Sequence, residues 1–228
     1  MAKKRLTRKE LLKEPDEFIT LTGRLIAWVK ANPKKLIYGI GVFLAVVLIG
    51  SGYAYYQENR AQTAADLLSQ SLLKYEEIAA QGDAAKALDA VTADLDRLGE
   101  DFSGQAAGKL GIILYGHLCL KAHLPQKAIG LYQKGLDNFE NDPALTPVIL
   151  NGLALAQEAA KDVPAAIACF EKILSRDTSL YKDSALFHLG RLYANTGQPE
   201  KSRQMYERLG TEFPESAYVE IAREKAAS

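Results

Sequence analysis

"DSALFHLGRLYANTGQPEKSRQMYERLGTEFP", residues 183–214, decides how the chain is read. Counting Asp183 as position 1, Leu186, Leu189 and Tyr193 fall at positions 4, 7 and 11, one face of a first helix. Ser202 at position 20 and Tyr206 at position 24 belong to a second helix. Gly190, at position 8, and Ser202 are small enough to let the two helices approach closely. The larger side chains of the first helix then pack against Tyr206. Gly197 supplies the turn between the helices, and Pro214 stops the second one.

The spacing recurs twice upstream. In residues 109–140, Ile112, Tyr115, Gly116 and Cys119 occupy positions 4, 7, 8 and 11, followed by Ala128 at 20 and Tyr132 at 24. In residues 147–178, Leu150, Leu153 and Ala154 precede Ala166 and Phe170, with Thr146-Pro147 expected as N-cap and first helical residue. This pattern resembles the tetratricopeptide repeat (TPR), a helix–turn–helix unit of about 34 residues marked by large, small and aromatic residues at fixed positions. The tryptophan usual at position 4 is absent, and only the last repeat has the closing proline. Ala128, Ala166 and Ser202 are thirty-eight and thirty-six residues apart, so the extra residues fall in inter-repeat loops such as "NDPALTP".

Residues 57–104 read as a degenerate N-terminal helix pair. Leu67, Leu68, Leu72, Leu73 and Tyr75 lie on its first helix, Gln81-Gly82-Asp83 makes the turn, and Ala87, Leu88, Val91, Leu95 and Leu98 line the second. Residues 105–214 hold the three repeats. Residues 215–228, "SAYVEIAREKAAS" at their end, make a short helix of the kind solenoids need to close an apolar edge.

Upstream lies "LIYGIGVFLAVVLIGSGYAYY", residues 36–56, twenty-one residues without a charge. As a helix they reach about 31 Å, the thickness of a bilayer's hydrocarbon core. A soluble core helix and a cleavable signal are the alternatives. The thirty-five residues before the run and its length argue against a signal. Trp28, Lys34 and Lys35 on one side and Tyr53, Tyr55 and Tyr56 on the other suit the membrane interface. The run is therefore expected to be a permanent span whose distal end, "YAYYQENR", continues into the first soluble helix. Residues 1–35 carry ten Lys/Arg and four Asp/Glu; residues 57–228 carry eighteen and twenty-four. The positive-inside rule then expects a cytoplasmic N-terminal arm and a C-terminal part across the membrane. In that arm, Phe18, Leu21, Leu25 and Trp28 repeat at helical spacing, with Asp16 expected as N-cap and Asn32-Pro33 as the end. Such an amphipathic helix suits either the lipid interface or a docking partner.

The acidic folded part disfavours nucleic acid as a partner. Cys119 and Cys169 lie inside apolar helical patterns with no CxxC spacing, and read as buried thiols. His117, His123 and His188 lack metal-site spacing, and there is no P-loop, GxGxxG, GxSxG or cysteine–histidine pairing. No catalytic residue, metal or cofactor is expected, and the chain is not read as an enzyme.

The expected fold is all-α: a single N-terminal transmembrane helix followed by a TPR-like α-solenoid of antiparallel helix pairs. The TPR resemblance implies a partner-binding groove lined by Leu110, Ile113, His117, Leu120 and Lys121 in the first repeat. It adds Val148, Asn151, Leu155 and Glu158 from the second, and Phe187, Arg191 and Asn195 from the third. Ile113 and His117 stand where a carboxylate-clamp groove would carry Lys and Asn, which disfavours that partner class. The layout as a whole resembles the YfgM-like family, ancillary subunits of the SecYEG translocon. That resemblance implies a bacterial inner-membrane adaptor with a periplasmic repeat domain, in contact with translocon subunits and periplasmic chaperones. The alternative is a scaffold for another envelope assembly, in outer-membrane protein insertion or cell-division coordination. A homo-oligomer is compatible with both.

Overall fold

The computed structural model describes residues 17–227, with side chains from Thr22 onward, and every element of regular structure among them is a helix. The N-cap expected at Asp16 lies outside the described residues. Helix α1 runs Glu17–Ala31 and α2 runs Pro33–Ala79, with Asn32 alone between them. Proline suits a first helical position because its missing N–H would have no intrahelical partner there. The second helix therefore begins at Pro33, ahead of the apolar run. It continues without a break through Tyr56, as the sequence suggested.

The chain divides into two compact units, with the boundary between Glu58 and Asn59, inside α2. In the first unit, every side chain from Ile37 to Tyr56 is exposed, and none of the most apolar window, of mean hydropathy 2.1, is buried. A soluble protein's core helix would bury such residues, so the core-helix alternative fails.

The second unit stacks helix pairs. The remainder of α2 turns Ala64, Ser71 and Tyr75 inward. It is tied to α3 (Ala84–Asp101) by Lys74 Nζ donating to the Ala90 carbonyl at 2.6 Å and by Arg60 donating to the Asp101 carbonyl. Gly82, at φ +92°, makes the turn, and the Asp83 carboxylate caps α3 by accepting from Lys86 N at 2.8 Å. Three pairs follow: α4 (Ala106–Lys121) with α5 (Pro125–Phe139), α6 (Leu145–Ala159) with α7 (Val163–Leu174), and α8 (Lys182–Asn195) with α9 (Pro199–Glu212). The last helix, α10 (Val219–Ala227), packs on α9.

One helix start differs from expectation. Thr146 does not cap α6; it lies inside the helix, where its hydroxyl donates to the Phe139 carbonyl. The Asp142 carboxylate accepts from Ala144 N at 2.9 Å and Leu145 N at 2.8 Å, so the helix begins two residues before Pro147.

The turn closing the first helix of each repeat is the same. Leu124 N donates to the Cys119 carbonyl, Asp162 N to Gln157 and Gln198 N to Tyr193, all at 2.8–2.9 Å. This is a Schellman ending, which needs a left-handed residue just past the helix. Gly197 fills that place in the third repeat at φ +74°, but His123 (+58°) and Lys161 (+66°) fill it in the others. Left-handed backbone costs a non-glycine residue about 1–2 kcal/mol, partly offset by glycine's greater unfolded-state entropy. Lys161→Gly is therefore expected to stabilise the unit by about 0.5–1 kcal/mol, read as a higher urea midpoint. An unchanged or lower midpoint would contradict this account of the turn.

The core runs through all the pairs, with Leu98, Tyr132, Ile149, Phe170, Leu186 and Leu209 fully enclosed. Cys119 and Cys169 are buried free thiols, as their apolar settings imply, and burial pushes the Cys119 thiol up to about 11.

Candidate functional site

Successive repeats meet through the aromatic residue of each second helix. Tyr132 on α5 lies against Gly116 of its own repeat, where an added Cβ would come within 3.0 Å of the ring. It also lies against Gly152 of the next, where a Cβ would come within 2.5 Å. Phe170 on α7 meets the next repeat at the same position, stacked on His188 with centroids 5.0 Å apart and planes 3° off parallel. Tyr132 thus wedges between its own first helix and the following one.

The first helices are linked by polar contacts offset by thirty-three residues. Arg191 on α8 grips Glu158 on α6 with two hydrogen bonds of 2.6 and 2.7 Å, and Ser184 Oγ lies 3.4 Å from Asn151 Oδ1. Ser216 donates to Asp183 at 2.7 Å with the same offset. That bond places the segment leading into α10 where a further repeat's first helix would begin.

This geometry sorts the residues expected to line the groove. On α4, Leu110 and Lys121 are exposed, and His117 and Leu120 are half-buried. Ile113 is buried and packs toward α5, its Cγ1 3.4 Å from where a Cβ on Gly135 would stand, an ordinary contact. It therefore belongs to the core. On α6, Val148 and Leu155 are half-buried, while Asn151 and Glu158 face the contacts to α8 described above. On α8, Asn195 is exposed, Arg191 is engaged with Glu158, and Phe187 is stacked on Tyr218 at 4.6 Å and 17°. The C-terminal segment therefore covers the third repeat's aromatic, and the more open stretch of the face lies on α4 and α6. Beyond it, a cavity of about 470 Å³ brings Arg191, Asn195, Arg203, Tyr206 and Lys225 together, with Arg203 paired to Glu200 at 2.8 Å.

Sequence reasoning missed Gly152, His188 and Tyr218. The first two share position 6 of their repeats, a place the TPR pattern leaves unmarked. Tyr218 lies outside any repeat. Trp28, Lys34, Lys35, Tyr53, Tyr55 and Tyr56, the residues expected at a membrane interface, are all exposed. Among the described residues no group of three or more His, Cys, Asp or Glu side chains could hold a metal ion.

His188 is the titrating group of the inter-repeat contact. Burial holds it below its ordinary value near 6.5, Arg191 adds to the effect, and Glu158 opposes it. The folded state thus favours the neutral ring and binds fewer protons than the unfolded chain just below that value. The contribution is complete above pH 6.5 and is lost as pH falls toward the lowered folded value. His188→Phe keeps a ring against Phe170 and is expected to flatten stability against pH below that point. Urea midpoints across the range check this; an unchanged slope would assign the dependence to other groups.

A family model described as a tetratricopeptide repeat-like domain matches residues 27–225. Among solved structures, the chain is similar to one described as a Podosopora anserina kinesin light chain with nearly identical TPR-like repeats. That match has TM-score 0.58 and 14% identity, and covers 72% of this chain and 85% of that one. A point variant of the same protein gives TM-score 0.59 at 14% identity, covering 72% and 84%. The MamA protein gives TM-score 0.52 at 17% identity, again covering 72% and 84%. At these identities the likeness is one of fold. No curated protein matches the sequence.

Proposed function

The chain belongs to the tetratricopeptide repeat-like domain family, and on that premise we propose that it is a membrane-anchored, non-catalytic adaptor. Its partners are proteins, held on the face that α4, α6 and α8 form. The observation that carries this reading is the open stretch of that face: Leu110, Val148 and Leu155 keep apolar surface accessible beside His117 and Lys121. A face that only closed the core would bury them.

The apolar first part of α2 is read as an uncleaved span of a bacterial inner membrane. The six-charge excess of Lys/Arg before it and the six-charge excess of Asp/Glu after it support a cytoplasmic N-terminus and a periplasmic repeat domain. The resemblance to the YfgM-like family then points to SecYEG translocon subunits and periplasmic chaperones as the partners. A photocrosslinker at Leu110, Val148 or Leu155 tests this in cells. Translocon subunits or periplasmic chaperones among the adducts support the reading; adducts only to outer-membrane assembly or division proteins replace it with the other envelope scaffold. Membrane-impermeant thiol labelling of a cysteine at Ala227 checks topology separately. Labelling from the cytoplasmic side would reverse the orientation.

A further inference from the structure

Helix α1 carries an apolar face that is largely exposed, with only Val29 half-buried on it. At about 100° per residue, Trp28, Leu25, Val29 and Ile26 share a sector about 160° wide. Leu25, Ile26 and Trp28 are 63, 56 and 50% exposed. Arg24 and Lys30 sit on opposite margins of that sector, each about 40° beyond its edge. Residues 18–35 contain no Asp or Glu, but they hold Arg24, Lys30, Lys34 and Lys35. A single non-helical residue, Asn32, separates α1 from the apolar helix that begins at Pro33.

We propose that α1 lies flat on an anionic phospholipid surface, its apolar sector in the acyl boundary and its cations among the lipid phosphates. The proposal rests on the reading of α2 as a span, because a span delivers α1 to the headgroup level. Apolar burial supplies the attraction, and long basic side chains at the margins can reach sideways to phosphate while their stems stay on hydrocarbon. Glu17 opens α1 near the Arg24 margin, but from residue 18 to 35 every charge is positive, and that net positive charge selects an acidic leaflet over a neutral one. A groove on a protein would impose no such requirement for basic residues on both margins.

Trp28 is the protein's single tryptophan, so its fluorescence reports on α1 alone. The full chain is reconstituted into vesicles of phosphatidylcholine, and into vesicles that also contain phosphatidylglycerol. Lipids brominated near the headgroup serve as quenchers. Expected are flotation that resists alkaline carbonate with both vesicle types and strong Trp28 quenching only with phosphatidylglycerol. Arg24→Gln with Lys30→Gln should lower the docked-to-undocked ratio roughly 25-fold, about fivefold per cation. Leu25→Glu should abolish the quenching while flotation persists. Equal quenching in both vesicle types, no quenching in either, or a Leu25→Glu chain that stays quenched overturns the proposal. So does shielding of Trp28 that requires added soluble protein. Carbonate extraction of the parent chain instead overturns the span, and α1 docking with it.

Discussion

Replacing Tyr132 with alanine is expected to lower the unfolding free energy of the repeat unit by about 3–5 kcal/mol, the usual cost of emptying a large aromatic site in a core. The ring is fully buried. It is also held from both sides by glycines, Gly116 in its own repeat and Gly152 in the next. Neither glycine has a side chain to move into the space, and the ring bordering it is His117, edge-on at 5.4 Å, so the cavity term adds to the lost burial. The loss falls on the seam between two repeats, whose stability depends on nearest-neighbour interfaces. The unfolding transition of Tyr132→Ala should therefore broaden or split as well as move. Tyr132→Phe keeps the wedge and should remain within about 1 kcal/mol of the parent. Denaturant unfolding of the three chains checks this. A parent-like alanine variant would show that the ring does not join the repeats.

A second large effect is expected from one added methyl group. Gly→Ala inside a helix ordinarily stabilises by about 1 kcal/mol. Gly108 reverses that sign. A Cβ there would come within 2.0 Å of the Phe102 carbonyl oxygen and 2.8 Å of the Leu98 carbonyl oxygen. These are backbone atoms closing the end of α3, and no side-chain rotation relieves the clash. Gly108→Ala must part α3 from α4, at an expected cost of about 3 kcal/mol. Gly130, inside α5, has nothing within 4 Å of the added methyl group. Gly130→Ala is expected to gain about 1 kcal/mol. Opposite shifts of the urea midpoint in the two variants would support the account; shifts in the same direction would refute it.

Local patterns made much of the fold legible. Small residues at Gly116, Ala154 and Gly190 on the first helices, and i to i+4 small–aromatic pairs at Ala128/Tyr132, Ala166/Phe170 and Ser202/Tyr206 on the second, identified the helix pairs. The unbroken α2 could be read from the absence of any turn residue cluster between Tyr53 and Arg60. Helix ends were less visible. Asp142, three residues ahead of α6, took the capping role expected of Thr146. At His123 and Lys161 the chain accepts left-handed backbone without the glycine that betrays it at Gly197.

The candidate face was legible as a set of positions but not as a surface. Helical spacing says which residues share a side; it does not say what the neighbouring helix places against them. Ile113 disappears into the core because it packs toward α5, where Gly135, more than twenty residues away, is its neighbour. Glu158 and Arg191 look like independent charges in the sequence but are partners across thirty-three residues. Phe187 is covered because Tyr218 comes back onto it from beyond the last repeat.

By itself, then, the sequence determined the helices, their pairing into repeats and the uncharged run, because each is written in residues close together along the chain. The tertiary structure decided which of those residues stay open to a partner. That depends on the fit between helices distant in sequence, where a covering ring or an opposed charge on one surface sets the fate of a side chain on the other.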